Sequence, residues 1–288
     1  MALYRQMTIV GVGLLGGSLA RAARDRRLVD RLIGQGRTEA TLRRAEAQGV
    51  IDAGFTDIRQ AVQGSDLVVL CSPVGTFRPR VEEMREALSP GAHLTDVGSV
   101  KGGLVRELES LMPPGVAYVG AHPIAGSEQS GLDASCGDLF QGARCIVTPT
   151  ERTDAAALKK ITALWEGVGL QVVSMDPDEH DLILGAVSHL PHAVAFALMN
   201  TVAEVRTPHY GDVLEFSGGG LRDITRIASS DPVMWRDLCL ANREALLKIL
   251  DDFRADLDRV RSAIERGNGE WLRDTFAAAK RARDDYSA

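Results

Sequence analysis

Residues 7–20 read MTIVGVGLLGGSLA, and this stretch decides the fold. Met7 to Val12 is a largely β-branched, apolar run, as a buried strand requires. Gly11, Gly13 and Gly16 stand at G-x-G-x-x-G spacing, and a helical pattern runs from about Gly16 to Arg26. A glycine turn between a strand and a helix is a dinucleotide-binding fingerprint. In that setting Gly11 permits the tight turn, Gly13 lets the backbone approach a pyrophosphate, and Gly16 lets the helix pack against the strand. The backbone N–H groups of Leu14, Leu15 and Gly16 open the helix without intrahelical acceptors, so they are free for phosphate oxygens.

Outward from this turn, apolar strands alternate with helical patterns. Strands are expected at Leu32–Gly36, Asp66–Ser72, His93–Val97, Tyr118–Ala121, Cys145–Pro149 and Leu170–Met175, and helices at Glu39–Gln48, Phe77–Ala87 and Asp154–Val168. Strands apolar on both faces and separated by helices imply a mostly parallel sheet covered on both sides. After about Asp176 the strand signals stop and the pattern is helical. The chain therefore reads as an α/β Rossmann domain over residues 1–176, followed by an all-α domain over residues 177–288. Leu246, Leu250, Phe253, Leu257, Val260 and Ile264 repeat at spacings of four and three, a seam for intrachain packing or for a second subunit. The apolar stretch from Ala186 to Val205 contains Ser188, His189, Pro191, His192 and Asn200, and reads as a buried helix and not a membrane span.

The bulk composition narrows the function. Among 288 residues, 33 basic and 39 acidic side chains leave a net charge of −6, which argues against a nucleic-acid partner. The N-terminus is too short and polar for a signal peptide. The four cysteines form no C-x-x-C pair, so neither a disulfide framework nor a metal site is expected. A cytoplasmic location follows.

Candidate ligand-binding segments stand at the carboxyl ends of strands, where open α/β sheets bind their ligands. After the second strand comes Gly36-Arg37-Thr38 in place of the carboxylate that usually binds the two ribose hydroxyls of NAD. Arg37 and Thr38 suit a 2′-phosphate, so NADP is expected in preference to NAD. Ser72, Pro73 and Val74 pass the cofactor ribose. Ser99 and Lys101 follow the strand that ends near Val97, and His122 ends the next one, with Glu128 six residues on. A histidine here can accept a hydroxyl proton near neutral pH.

The segments GVGLLGGSLA, TDVGSVKG, AHPIAGSEQSG, VSHLPHAVAFAL and GGGLRDITRIASSDPVMWRD resemble the prephenate/arogenate dehydrogenase family of tyrosine biosynthesis over almost the whole chain. The resemblance implies oxidative decarboxylation of a cyclohexadienol, prephenate or arogenate, with hydride transfer to NAD(P). It implies His122 as base and Ser99 as its hydrogen-bonding neighbour. Glu128 would stand at the site mouth, His192 and Ser188 would face the substrate, and Arg226 would bind a substrate carboxylate with Asp223 beside it. Trp235 corresponds to an aromatic near the site, or to a core tryptophan, and His189 is as well read as a core histidine. A homodimer built through the helical half is also implied. Two alternatives remain at this point. One is a hydroxyacid dehydrogenase using a helical-domain lysine, although Lys248 and Lys280 sit in no polar cluster. The other is a dinucleotide sensor without chemistry.

Overall fold

The computed structural model describes residues 2–126 and 129–287. The expected Glu128 lies outside the described residues. Eight strands form one sheet in the order β3-β2-β1-β4-β5-β6-β7-β8. These are β1 (Tyr4–Val10), β2 (Val29–Gln35), β3 (Ala53–Phe55), β4 (Leu67–Leu70), β5 (His93–Asp96), β6 (Ala117–Ile124), β7 (Arg144–Thr148) and β8 (Gln171–Ser174). The sheet is parallel except where β7 runs antiparallel to β6. The order turns back at β1 and β4, which are direct neighbours, and a crevice opens above their carboxyl ends.

The alternation of side chains along each strand supplies both faces. Ile9, Leu67 and Val69 point into one core with Leu19, Ala22 and Ala23 of α1 (Leu14–Asp25) and with Ile161, Leu164 and Trp165 of α6 (Ala155–Gly167). Val10, Val68 and Leu70 point into the other. There they meet α3 (Ile58–Val62), α4 (Phe77–Met84) and α5 (Gly102–Leu111) through Ile58, Phe77, Val81 and Val105. Each such fully buried side chain contributes about 1.5–3 kcal/mol. The strand β3 and the helices α3 and α5 were not expected from the sequence. The remaining helix on this unit's sheet, α2 (Glu39–Ala47), is capped by the Thr38 hydroxyl.

The strands stop at Ser174, and α7 (Pro177–Leu184) begins under an Asp176 cap. A π-turn, Gly185–His189, joins it to α8 (Leu190–Glu204), whose first turn carries Pro191. The expected local irregularity is therefore real, and it falls just before the proline. The expectation of a buried helix is corrected: within α8 only Ala195 is buried, because its apolar residues spread around faces that this chain does not cover. The run from Pro177 to Glu204 is long and apolar enough to cross a membrane by length and composition alone, with 22% of its apolar window buried. It also carries His180, Asp181, Ser188, His189 and His192.

After α9 (Gly219–Thr225) and α10 (Pro232–Ala241) the chain divides by compactness, into residues 1–242 and residues 243–288. Helices α7 to α10 thus belong to the same compact unit as the sheet, although the change from strands to helices comes at Asp176. The second unit is the pair α11 (Arg243–Glu265) and α12 (Gly269–Ser287). Of the heptad seam on α11, Leu246 is buried, whereas Leu257 and Ile264 are 52% and 63% exposed.

Candidate active site

The glycine turn has the conformation its spacing requires. Gly11 has φ +105°, and its N–H donates to the Gln35 carbonyl at 2.9 Å, which ties the turn to β2. A methyl on Gly16 would stand 2.2 Å from the Gly11 carbonyl oxygen, so only glycine lets α1 approach β1 here. A methyl on Gly13 would meet nothing within 4 Å; it would project into open cleft. The first turn of α1 has no side-chain cap and no acidic residue, so its amides and dipole are left for an anion. These features fit a pyrophosphate.

The cleft above this turn encloses about 450 Å³, and its rim includes Gln35, Gly36, Arg37, Thr38, Ser72 and Pro73. Two basic or polar residues that sequence reading missed, Thr41 and Arg80, also line it. Arg80 reaches the cleft from the second turn of α4, and Glu83 lies 3.8 Å from its guanidinium. One expectation is corrected. Val74 packs against the apolar cluster of Val100, Trp235 and Leu238, so it turns away from the cleft. The side chain of Leu15 packs on the sheet core, which leaves its backbone N–H, the group expected to act, at the helix N-terminus.

A second cleft, of about 510 Å³, is lined by Ser99, His122, Leu184, Ser188, His189, Met234, Trp235 and Leu238, among others. His122 is not at the end of a strand. It lies inside β6, opposite Ile146 of β7, on a segment that runs beyond the pairing with β5. Its backbone is fixed from below: the buried Asp96 carboxylate accepts from Ala121 N–H (3.1 Å), Tyr118 Oη (2.9 Å), Gly98 N–H (2.8 Å) and the wholly buried Lys101 ammonium. Burial holds the His122 imidazole well below its ordinary pKa, with Lys101, His180 and His189 adding to the effect. It is therefore neutral at pH 7 and able to take up a proton.

Two residues that sequence reading missed complete this environment. His122 Nδ1 lies 2.9 Å from His180 Nε2, and His180 Nδ1 lies 2.8 Å from the Asp181 carboxylate. Asp181 also accepts from the N–H groups of Lys101 (2.7 Å) and Gly102 (2.9 Å), at the N-terminus of α5.

On the far wall, Asn242 Nδ2 donates to the Asp181 carbonyl and to His189 Nδ1, both at 2.8 Å. An amide nitrogen can only donate, so His189 Nδ1 is the acceptor and its proton sits on Nε2. That Nε2–H and the Trp235 Nε1–H are both buried without a partner among the described residues. Burial lowers the pKa of His189 to about 4. The two histidines of the SHLPH segment thus exchange the places expected of them. His189 lines the cleft, whereas His192 stacks on Trp235 at 3.6 Å and bonds the Ser188 carbonyl from Nδ1. Trp235 is at once buried and part of the wall of this cleft.

Arg226 and Asp223 are exposed and are not in the wall of this cleft. Arg226 is close enough to His192 to depress its pKa, after the larger effect of burial. Among the described residues there is no cluster of metal-ligating side chains.

Comparison with known proteins agrees with this geometry. The family description "Prephenate dehydrogenase, nucleotide-binding domain" matches residues 19–174, and "Prephenate dehydrogenase, dimerization domain" matches residues 176–278. The chain is 35% identical to the cyclohexadienyl dehydrogenase of Zymomonas mobilis, over 98% of this chain and 96% of that one. The crystal structure of prephenate dehydrogenase from A. aeolicus with hydroxyphenyl propionate and NAD+ is similar at a TM-score of 0.91 and 40% identity, covering 98% of each chain. The Synechocystis arogenate dehydrogenase structure matches at 0.84 and 30%, covering 98% of this chain and 99% of that one.

Proposed function

This chain belongs to the prephenate dehydrogenase family, and on that premise we propose how its residues perform the family's reaction. It catalyses the oxidative decarboxylation of prephenate or arogenate in tyrosine biosynthesis, as an NAD(P)-dependent oxidoreductase. The observation that carries the reading of the site is His122: neutral, buried, held by Nδ1, and set in the wall of the larger cleft beside Ser99.

A nicotinamide dinucleotide held above Gly13 would supply the hydride acceptor for the ring carbon that bears the hydroxyl. Gly13 and the amides of Leu14, Leu15 and Gly16 would hold its pyrophosphate, and Ser72 and Pro73 would border its ribose. His122 takes the hydroxyl proton on Nε2, while the Ser99 hydroxyl orients the same oxygen. The ring carboxylate then leaves as CO2 and its bonding electrons close the aromatic ring. His122 can return its proton to the phenolate oxygen, so the base ends the cycle neutral. The orphaned donors His189 Nε2–H and Trp235 Nε1–H are suited to substrate oxygens. Ser188 stands in the same wall. Arg226, exposed outside this wall but near His192 and with Asp223 near it in sequence, would meet a substrate side-chain carboxylate that projects from the cleft, and His192 fixes the Trp235 ring by stacking.

NADP is preferred over NAD: no carboxylate stands at Gly36, and Arg37, Thr38, Thr41 and Arg80 surround the adenosine end. The chain works as a cytoplasmic homodimer through its helical half. Support comes from the uncovered faces of α8, the exposed Leu257 and Ile264, and four unpaired cysteines. Initial rates of cofactor reduction with prephenate, arogenate and a 3-hydroxy acid, each with NAD and NADP, test these assignments. Turnover of the 3-hydroxy acid alone would overturn the function, and an NAD specificity constant equal to or above that for NADP would overturn the cofactor preference.

A further inference from the structure

His122 reaches its catalytic cleft at the end of a buried chain of hydrogen bonds that begins at the N-terminus of α5. The Asp181 carboxylate receives two backbone N–H groups of the α5 N-terminus and one imidazole nitrogen. A carboxylate so placed can only accept, so His180 Nδ1 carries a proton. A singly protonated His180 then presents its Nε2 lone pair to His122 Nδ1, 2.9 Å away. His122 Nδ1 must donate, and the remaining nitrogen, Nε2, keeps its lone pair for the cleft. His180 is wholly buried, so water does not compete for either of its bonds. Asn242 fixes the backbone carbonyl of Asp181 at the same time as the His189 ring.

We propose that His180 and Asp181 are positioning residues: the relay Asp181–His180–His122 locks the catalytic imidazole in the tautomer whose free nitrogen faces the substrate. Neither residue needs to touch substrate or cofactor. The inference rests on the reading of His122 as the base. Among the described residues, the charged and titratable groups that act on His122 are Lys101 from the α5 N-terminus, His180 from α7 and His189 from the π-turn. Of these, only His180 is bonded to its ring. When His122 takes up a proton, Asp181 is the anion at the end of that chain.

Two substitutions of His180 separate the relay from simple packing. In His180→Asn the amide stands near the position of Nδ1: it keeps the bond to Asp181 and leaves His122 Nδ1 without a partner. In His180→Gln the amide oxygen reaches the position of Nε2 and can accept from His122. The expected result is a loss of turnover of about a hundredfold or more in the asparagine variant, the scale of losing an effective general base. The glutamine variant should stay within about tenfold of the parent, with KM and cofactor affinity little changed in both. Equal losses in the two variants, or no loss in either, overturn the relay. Nitrogen-15 imidazole NMR of the unaltered enzyme reads the tautomer without any substitution. Protonated Nδ1 and unprotonated Nε2 on His122 are expected, and the reverse tautomer overturns the proposal. Full activity in His122→Asn would instead overturn the underlying assignment of the base, so the two failures are distinguishable.

Discussion

Alanine at Gly13 and alanine at Gly16 should fail in opposite ways, although the two glycines belong to one motif. At Gly13 the added methyl meets no atom within 4 Å, and φ of −106° is open to any residue. The fold should therefore change in stability by no more than about 0.5 kcal/mol, as for a surface substitution. The methyl stands where the pyrophosphate must approach. Overpacking typically costs about 1–3 kcal/mol, which converts to a roughly 5- to 150-fold weaker cofactor complex. At Gly16 the methyl would lie 2.2 Å from the Gly11 carbonyl oxygen and 2.8 Å from Ile9 Cγ2, so helix and strand must part. The same overpacking range, or more, then falls on folding itself; the better helix propensity of alanine offsets at most about 1 kcal/mol. At about 2–4 °C per kcal/mol, that overpacking range lowers Tm by roughly 2–12 °C before the helix-propensity offset. Melting curves without cofactor, paired with calorimetric titration of the cofactor, read both quantities. If Gly13→Ala melts as early as Gly16→Ala while binding cofactor normally, the division of labour between these glycines is wrong.

Four further outcomes follow from the same structure. His122→Asn should cut kcat by about a hundredfold or more while cofactor affinity, read by fluorescence quenching, stays unchanged. Arg226→Ala should act mainly on KM, by about ten- to a hundredfold for a lost charge-assisted pair of roughly 1.5–3 kcal/mol; a fall in kcat alone would remove it from carboxylate binding. Acid should destabilise the protein through His189, whose pKa falls from 6.5 in the unfolded chain to about 4 in the fold. Its contribution is complete above pH 6.5 and is lost as pH falls, by about 3 kcal/mol at pH 4; denaturant midpoints for the protein and for His189→Gln should converge over that window. Arg37→Ala and Arg80→Ala should each weaken NADP by about one to two decades and leave NAD nearly unaffected, in direct binding titrations.

The parts of this molecule that were legible in its sequence are local ones. The glycine turn is written in consecutive residues, and each strand core carries its own apolar run. His122 could be singled out because the apolar run Tyr118 to Ala121 leads into it near the cofactor edge, although the strand proved to continue through it. The direction of β7 was not legible, since Cys145 to Thr148 is equally apolar whichever way it runs. His180 and Asp181 were passed over because their partners lie 58 and about 80 positions away, and nothing nearby marks them except polarity in an apolar helix. Arg80 is one of two arginines on α4; the other, Arg78, pairs with Glu82 and Glu107. The exchange of roles between His189 and His192 came from the π-turn, which three- and four-residue spacings cannot reveal.

That π-turn, Gly185–His189, behaves as one residue inserted into an otherwise α-helical run. Residues before it keep their facing, and residues after it turn by about 100° relative to an uninterrupted helix. His180 and Asp181 lie upstream; His192 and the rest of α8 lie downstream. His180 and Asp181, which reach the base, thus lie before the turn, Ser188 and His189 of the cleft wall lie within it, and the His192 ring that stacks on Trp235 lies after it, all on one continuous rod. Loss of a single residue at this point would restore a regular helix and swing the His192 ring by about 100° off Trp235, while His180 and Asp181 keep their partners. A one-residue change in length, ordinarily ruinous within a helix, would here act on the Trp235 side of the cleft and spare the chain of bonds behind His122.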